Sequence, residues 1–187
     1  MELTIVTSNA KKAEQIGFFL GIPVKTESLE ITEIQSLDIL AVLEAKAKAA
    51  YEKLQVPLIV DDVSLALDEL KGLPGPLVRW FLDTIGPEGL CRLADQTKTR
   101  AATATVGIGY IDASGFKLFT GTKRGRISDQ PMGDSGFGWD SVFIQEGFER
   151  TRASLTALEY EHASIRKLPL DELKAYLGSY THAANEH

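Results

Sequence analysis

The spacing of apolar and polar residues changes several times along this chain, and each change marks an element. Crowded β-branched residues over 2–7, ELTIVT, predict a short strand. After the polar pair Ser8–Asn9, the residues Ala13, Ile16, Phe19 and Leu20 fall near one face of a helix, with Asn9 the expected N-cap and Gly21 the stop. An irregular stretch containing EITEIQS (30–36) follows. Behind Asp38, a second expected N-cap, Ile39, Leu43, Ala47, Ala50 and Leu54 form an amphipathic stripe that predicts a helix over 38–54. PLIVDD (57–62) reads as a buried strand ending in two acids, GLPGP (72–76) as a turn, and LVRWFLDTI and EGLCRLAD as two short helices. Alternation of Ala102, Ala104, Val106, Ile108 and Tyr110 predicts a strand over 100–112, which the turn ASG sends back antiparallel as FKLFTGTKRGRI. SVFI reads as a further strand and LDELKAYLGSY as a closing helix. A parallel start, an antiparallel hairpin and interspersed helices predict an α/β fold built on a mixed sheet.

Composition narrows the function. At 187 residues, with 44% hydrophobic and 25% charged residues, the chain suits one globular domain, and no repeat or linker marks a second. The single Cys91 excludes an internal disulfide, and three histidines leave little for a histidine metal cluster, so any metal is expected on oxygen ligands. The opening MELTIVTSNAKK carries an acidic residue where a signal peptide carries basic ones, which predicts a cytoplasmic protein with no membrane partner. A net charge of -6 argues against a coat for a nucleic-acid polymer, while a small phosphorylated ligand needs only a local positive cluster.

Such a cluster exists. Lys11 and Lys12 stand in the first turn of the first helix, where the helix dipole disfavours a cation unless an anion sits nearby. A plain helix start with solvated lysines is the other reading. Glu33 lies in the irregular stretch, and Asp61 and Asp62 repel each other unless a cation or donor neutralises one of them. Magnesium, with manganese as the alternative, fits such acids, although N-caps and a solvated strand end fit them too. Arg79 is placed to grip a phosphate, while Trp80 and Phe81 beside it suit a core. In GDSGFGWDSVF (133–143), glycines surround the bulkiest side chain, which is either plugged into the core or offered to a ligand.

Taken in order, TSNAKK, EITEIQ, VDD, GLPGPLVRWF and GFGWDSVF resemble the inosine triphosphate pyrophosphatase family, from Thr7 to about Leu168. The resemblance implies an elongated mixed sheet with two lobes around a nucleotide cleft, a magnesium cofactor, a cytoplasmic homodimer, and hydrolysis of ITP, dITP and XTP to the monophosphate and pyrophosphate. It implies phosphate contacts from Thr7, Ser8, Asn9, Lys12, Lys46 and Arg79, with metal and water-activating roles for Glu33 and Asp62, while Asp61, at the same strand end, is the other candidate to take the proton. Phe137, Gly138, Trp139 and Asp140 would hold the base and sugar, with Phe137 stacking on the purine and Asp140 accepting at the base edge. The final family block is altered. YEHASIRK keeps Ser164 and Arg166 but has Tyr160 in place of a lysine and Ile165 in place of a histidine, which leaves His162 as a nearby substitute and predicts weaker base selection. The alternative to an enzyme is a nucleotide-binding sensor of the same fold with little turnover.

Overall fold

The computed structural model describes residues 3–136 and 138–183. Strand β1 (Leu3–Val6) leads into helix α1 (Ala10–Leu20), strand β2 (Val24–Glu27) and helix α2 (Ile39–Leu54). Strand β3 (Leu58–Leu67), the two-residue β4 (Pro74–Gly75) and helix α3 (Val78–Ala94) follow, and then the long hairpin β5 (Ala101–Asp112) and β6 (Gly115–Ile127). Strand β7 (Phe143–Gln145) and helices α4 (Ala157–His162) and α5 (Lys167–Ala183) complete the order. The sheet runs β2-β1-β3-β5-β6-β7 with β4 attached to β3. β1 is parallel to both its neighbours and the other pairs are antiparallel, so the expected mixed α/β sheet is found.

Helices cover both faces. On one, Leu43, Ala47 and Ala50 of α2 pack against Leu58 and Val60 of β3 and Ile111 of β5. On the other, Ile16 and Leu20 of α1, Leu90 and Ala94 of α3, and Leu170 and Leu173 of α5 bury Ile59, Leu65 and Leu67 of β3. A strand sends successive side chains to opposite faces, and β3 serves both cores in this way. The α2 layer lies close: a Cβ added at Gly107 would stand 2.3 Å from Leu43 Cδ1. The predicted caps form, with Asn9 Oδ1 accepting from Lys12 N, Asp38 Oδ1 accepting from Leu40 N, and Gly21 in the left-handed conformation. The two short helices read before the hairpin are one element, α3, broken at Gly86 just ahead of Pro87.

One strand end needs correction, and two elements were not foreseen. β3 does not end at its two acids but continues to Leu67, because Val63, Leu65 and Leu67 alternate with the smaller or polar Asp62, Ser64 and Ala66. β2 gave no sequence signal, since the edge strand VKTE is half polar. α4 was also unforeseen, although Thr156 and Glu159 form a reciprocal capping box at its start. Among the described residues no helix is long and apolar enough to cross a membrane.

A notch in the sheet edge forms the candidate active site

β3 is paired along its whole length with β5, but its other side is discontinuous. β1 pairs with it at Leu58 and Ile59, and β4 at Leu65 and Ala66, so, among the described residues, positions 60–64 have no strand partner on that side. Asp61 and Asp62 lie in this notch. The neighbouring turn is local: Thr7 Oγ1 accepts from Asn9 N at 3.1 Å, and Asn9 Oδ1 accepts from Lys12 N at 3.1 Å. Ser8 and Asn9 are exposed at the opening. In open α/β sheets the end of a parallel strand at such a change of pairing is where ligands bind.

Strand alternation separates the two acids. Asp61 is buried on the face of α1 and α5, where Lys12 Nζ lies 3.0 Å from each of its carboxylate oxygens and Arg166 Nη2 lies 3.5 Å from Oδ2. Burial pushes its pKa up, but the charges of Lys12 and Arg166 and the Lys12 hydrogen bond outweigh burial and hold it below the ordinary carboxylate range. The anion that the first turn of α1 calls for is thus supplied from within the chain. Asp62 belongs to the α2 face, where Lys46 Nζ pairs with Glu33 Oε1 at 2.6 Å. Burial dominates here. It pushes Asp62 up to about 6, against the lowering by the Val63 backbone hydrogen bond and by Lys46, with Asp61 and Glu33 adding to the rise. One acid is locked as an ion pair, and its neighbour in sequence is poised to exchange a proton near neutrality.

The glycine loop meets α4 at the other end of the cleft. Trp139 is an anchor: it is buried in the core and packs edge-on to Phe143 at 5.4 Å. Asp140, at 4% exposure, accepts from Arg152 Nε at 2.9 Å on Oδ1 and from the Tyr160 hydroxyl at 2.8 Å on Oδ2. Arg152 also donates to Gln145 Oε1 and to the Ala163 carbonyl, and its guanidinium lies 4.6 Å over the Tyr160 ring. Gly136 takes a positive φ of 79° beside this network, and a Cβ there would stand 2.5 Å from Asp140 Oδ2, so the close turn requires glycine. Gln15, Trp139, Asp140, Tyr160, Ser164 and Arg166 all line a cleft beside the core.

Thr7, Asn9, Lys12, Asp61 and Arg166 are therefore gathered at the notch, Glu33, Lys46 and Asp62 on its α2 side, and Trp139, Asp140 and Ser164 farther along. Arg79 is elsewhere in character, an exposed residue of α3 at 85% accessibility whose Nε pairs with Asp83 at 3.5 Å. Gly138 is exposed, Ile165 is core, and His162 is exposed at the end of α4. Phe137 lies outside the described residues.

A family model described as the Ham1 family matches residues 3–176. The chain belongs to the Ham1 family. Among its Ham1 relatives, inosine triphosphate pyrophosphatase 2 of Trypanosoma cruzi is 38% identical over 94% of this chain and 91% of the relative. The dITP/XTP pyrophosphatase of Hyperthermus butylicus is 36% identical over 95% of both. The solved Ham1 protein of Staphylococcus aureus shares the fold, with a TM-score of 0.85 over 96% of this chain and 100% of that one at 24% identity.

For this Ham1 chain, sequence reading missed Arg152, Gln15 and Gln145. Arg152 follows a loop with no periodic signal, and only its 4% exposure marks it as the buried partner of Asp140. Gln15 lies one helical turn from Lys12, a spacing that places it on the same side of α1.

Proposed function

We propose that this chain is a magnesium-dependent nucleoside triphosphate pyrophosphohydrolase, acting as a homodimer, that converts ITP, dITP and XTP to the monophosphate and pyrophosphate. The names of its relatives support the substrate class, and the divergence of Asp61 and Asp62 carries the mechanism. A base that works near neutral pH needs a pKa close to it, and before any cation binds, Asp62, at about 6, meets that requirement while ion-paired Asp61 does not.

The residues present fit a hard divalent cation. Among the described residues no three His, Cys, Asp or Glu side chains gather, but Glu33 pairs with Lys46, whose charge also acts on Asp62, and the two carboxylates make an oxygen-only set on the α2 side. Magnesium takes that number when waters and substrate phosphates complete its shell. Glu33 and Asp62 would hold it, and it would polarise phosphate oxygens and acidify a bound water.

The chain's own groups do the rest. Backbone N–H groups at the start of α1, with Thr7, Ser8 and Asn9, receive phosphate oxygens. Lys12 exchanges part of its contact with Asp61 for the polyphosphate, and Lys46 faces the same charge from the α2 side. Asp62 accepts a proton from water as the water oxygen bonds to the α-phosphorus. The bond from that phosphorus to the bridging oxygen breaks, and the electron pair leaves with pyrophosphate. Asp140 and Ser164 lie at the base end.

Product analysis tests this reading. Purified protein with magnesium and ITP is expected to release inosine monophosphate and pyrophosphate in equal amounts. Inosine diphosphate with orthophosphate would place the attack at the γ-phosphorus and overturn the mechanism.

A further inference from the structure

Glu33 sits on a segment with little to hold it. Residues 28–37 form neither helix nor strand, and among the described residues none of their backbone groups pairs with another backbone group. Leu29 and Ile31 pack against the α2 core, Lys53 Nζ donates to the Glu30 carbonyl, and Lys46 Nζ pairs with Glu33 Oε1. Both lysine ties come from α2. The Lys46 tie is the one that loading loosens, because in the function proposed above the Glu33 carboxylate turns to a cation and Lys46 to phosphate.

The other tie comes from the first turn of α3. Trp80, which suits a core in sequence, is 59% exposed there, yet its indole Nε1 donates to Gln35 Oε1 at 2.9 Å. An indole N–H can only donate, whereas a glutamine amide has an accepting end and a donating end. The donating end, Gln35 Nε2, faces the Glu33 carbonyl at 3.5 Å. Leu37 follows the same side, since a Cβ at Gly75 of β4 would stand 3.6 Å from its Cδ2. Indole and amide carry no charge, so this tie, unlike the Lys46 pair, survives the arrival of a cation.

We propose that Trp80 is a positioning residue, whose indole N–H acts through Gln35 to hold Glu33 toward the divalent cation of the proposed reaction. The inference rests on Glu33 being a ligand of that cation, as in the function proposed above. Restricting the main chain two residues from the ligand leaves less freedom to be lost when the carboxylate binds. Removing the N–H therefore weakens the cation and leaves the nucleotide's own contacts alone.

The test measures manganese binding to the nucleotide-free protein, from the electron paramagnetic resonance signal of the free ion, with thermal melts alongside. The native chain is compared with Trp80→Phe, which keeps a ring and loses the donor, with Gln35→Ala, and with the double variant. Each single variant is expected to bind manganese about three- to tenfold more weakly, and the double variant to match either within about twofold, because both changes remove one tie. In turnover, the magnesium concentration for half-activity should rise by the same factor while KM for ITP at saturating magnesium stays within about twofold. Unchanged manganese affinity in both single variants, with or without a lower Tm, would show a contact that only stabilises and would overturn the assignment. Losses that multiply in the double variant would overturn it too. Should Trp80→Phe not fold, Gln35→Ala on the exposed segment decides by the same constants. A native protein that binds manganese without this coupling sinks the inference alone. Coupling intact, with inosine diphosphate as the product of ITP, sinks the proposed function alone.

Discussion

Replacing Asp62 with asparagine is expected to abolish turnover and make the protein more stable. The Asp62 carboxyl has a folded-state pKa of about 6 against an ordinary value of 3.8, mainly because burial penalises its charged form. A difference of about two units corresponds to roughly 3 kcal/mol at a pH well above 6, and partial solvent access brings the expected effect to about 1–3 kcal/mol. The sign follows from proton binding. With the folded pKa raised, the carboxyl's stabilising contribution is complete below pH 3.8 and is lost as pH rises through about 6. The amide of the variant has no charge to bury, so the advantage of Asp62→Asn should be small at pH 4, grow through pH 5 and 6, and level off above pH 7. For a chain of 187 residues, each kcal/mol is about 2–4 °C in Tm. The assay is thermal melting of both proteins in EDTA from pH 4 to 8, beside ITP turnover with magnesium at pH 8. A stability difference that does not change with pH, or an asparagine variant less stable at pH 8 than the native protein, would refute the assignment of Asp62 as the acid forced upward by burial.

The neighbouring acid should behave in the opposite way. Asp61→Asn leaves Lys12 and Arg166 facing a neutral group in a buried setting, and urea melts are expected to show a loss of about 3–5 kcal/mol at neutral pH; a loss under 1 kcal/mol would mean the pair contributes nothing structural. Trp139→Ala should cost about 3–5 kcal/mol by the same measurement, since the ring is core, and a near-neutral result would return it to the ligand side of the loop. Activity should vanish in excess EDTA and return best with magnesium or manganese and poorly with calcium, as a compact octahedral site requires; full turnover in EDTA would remove the metal.

Much of this architecture was legible in the chain because local chemistry and tertiary packing agree. Asn9, Gly21 and Asp38 mark helix ends that form as read, and the long alternation over 100–112 becomes a strand because β5 has one face on the main core. What was hidden depends on neighbours that no window contains. Asp61 and Asp62 look equivalent in sequence, and only the pairing of β3 with β5 shows that they inhabit different faces. Tyr160 reads in sequence as the loss of a donor, whereas the fold gives its proton to Asp140, twenty residues earlier. Arg152 was invisible for the same reason, since a buried guanidinium is recognisable only by the carboxylate and carbonyls that gather around it.

The gap beside residues 60–64 also bears on how the protein keeps to itself. An unpaired strand side in the middle of a sheet is a template for backbone pairing with a foreign chain, and natural sheets protect such openings with charges that an incoming strand would have to desolvate. Asp61 and Asp62 stand in the gap, one on each face, so a segment seeking to add there meets a carboxylate on either side. A small, heavily charged ligand tolerates that environment if it brings its own counter-ion, and a peptide strand does not. The acid that would carry out the reaction and its ion-paired neighbour thereby exclude strand addition, and a variant neutral at both positions should lose that protection as well as its activity.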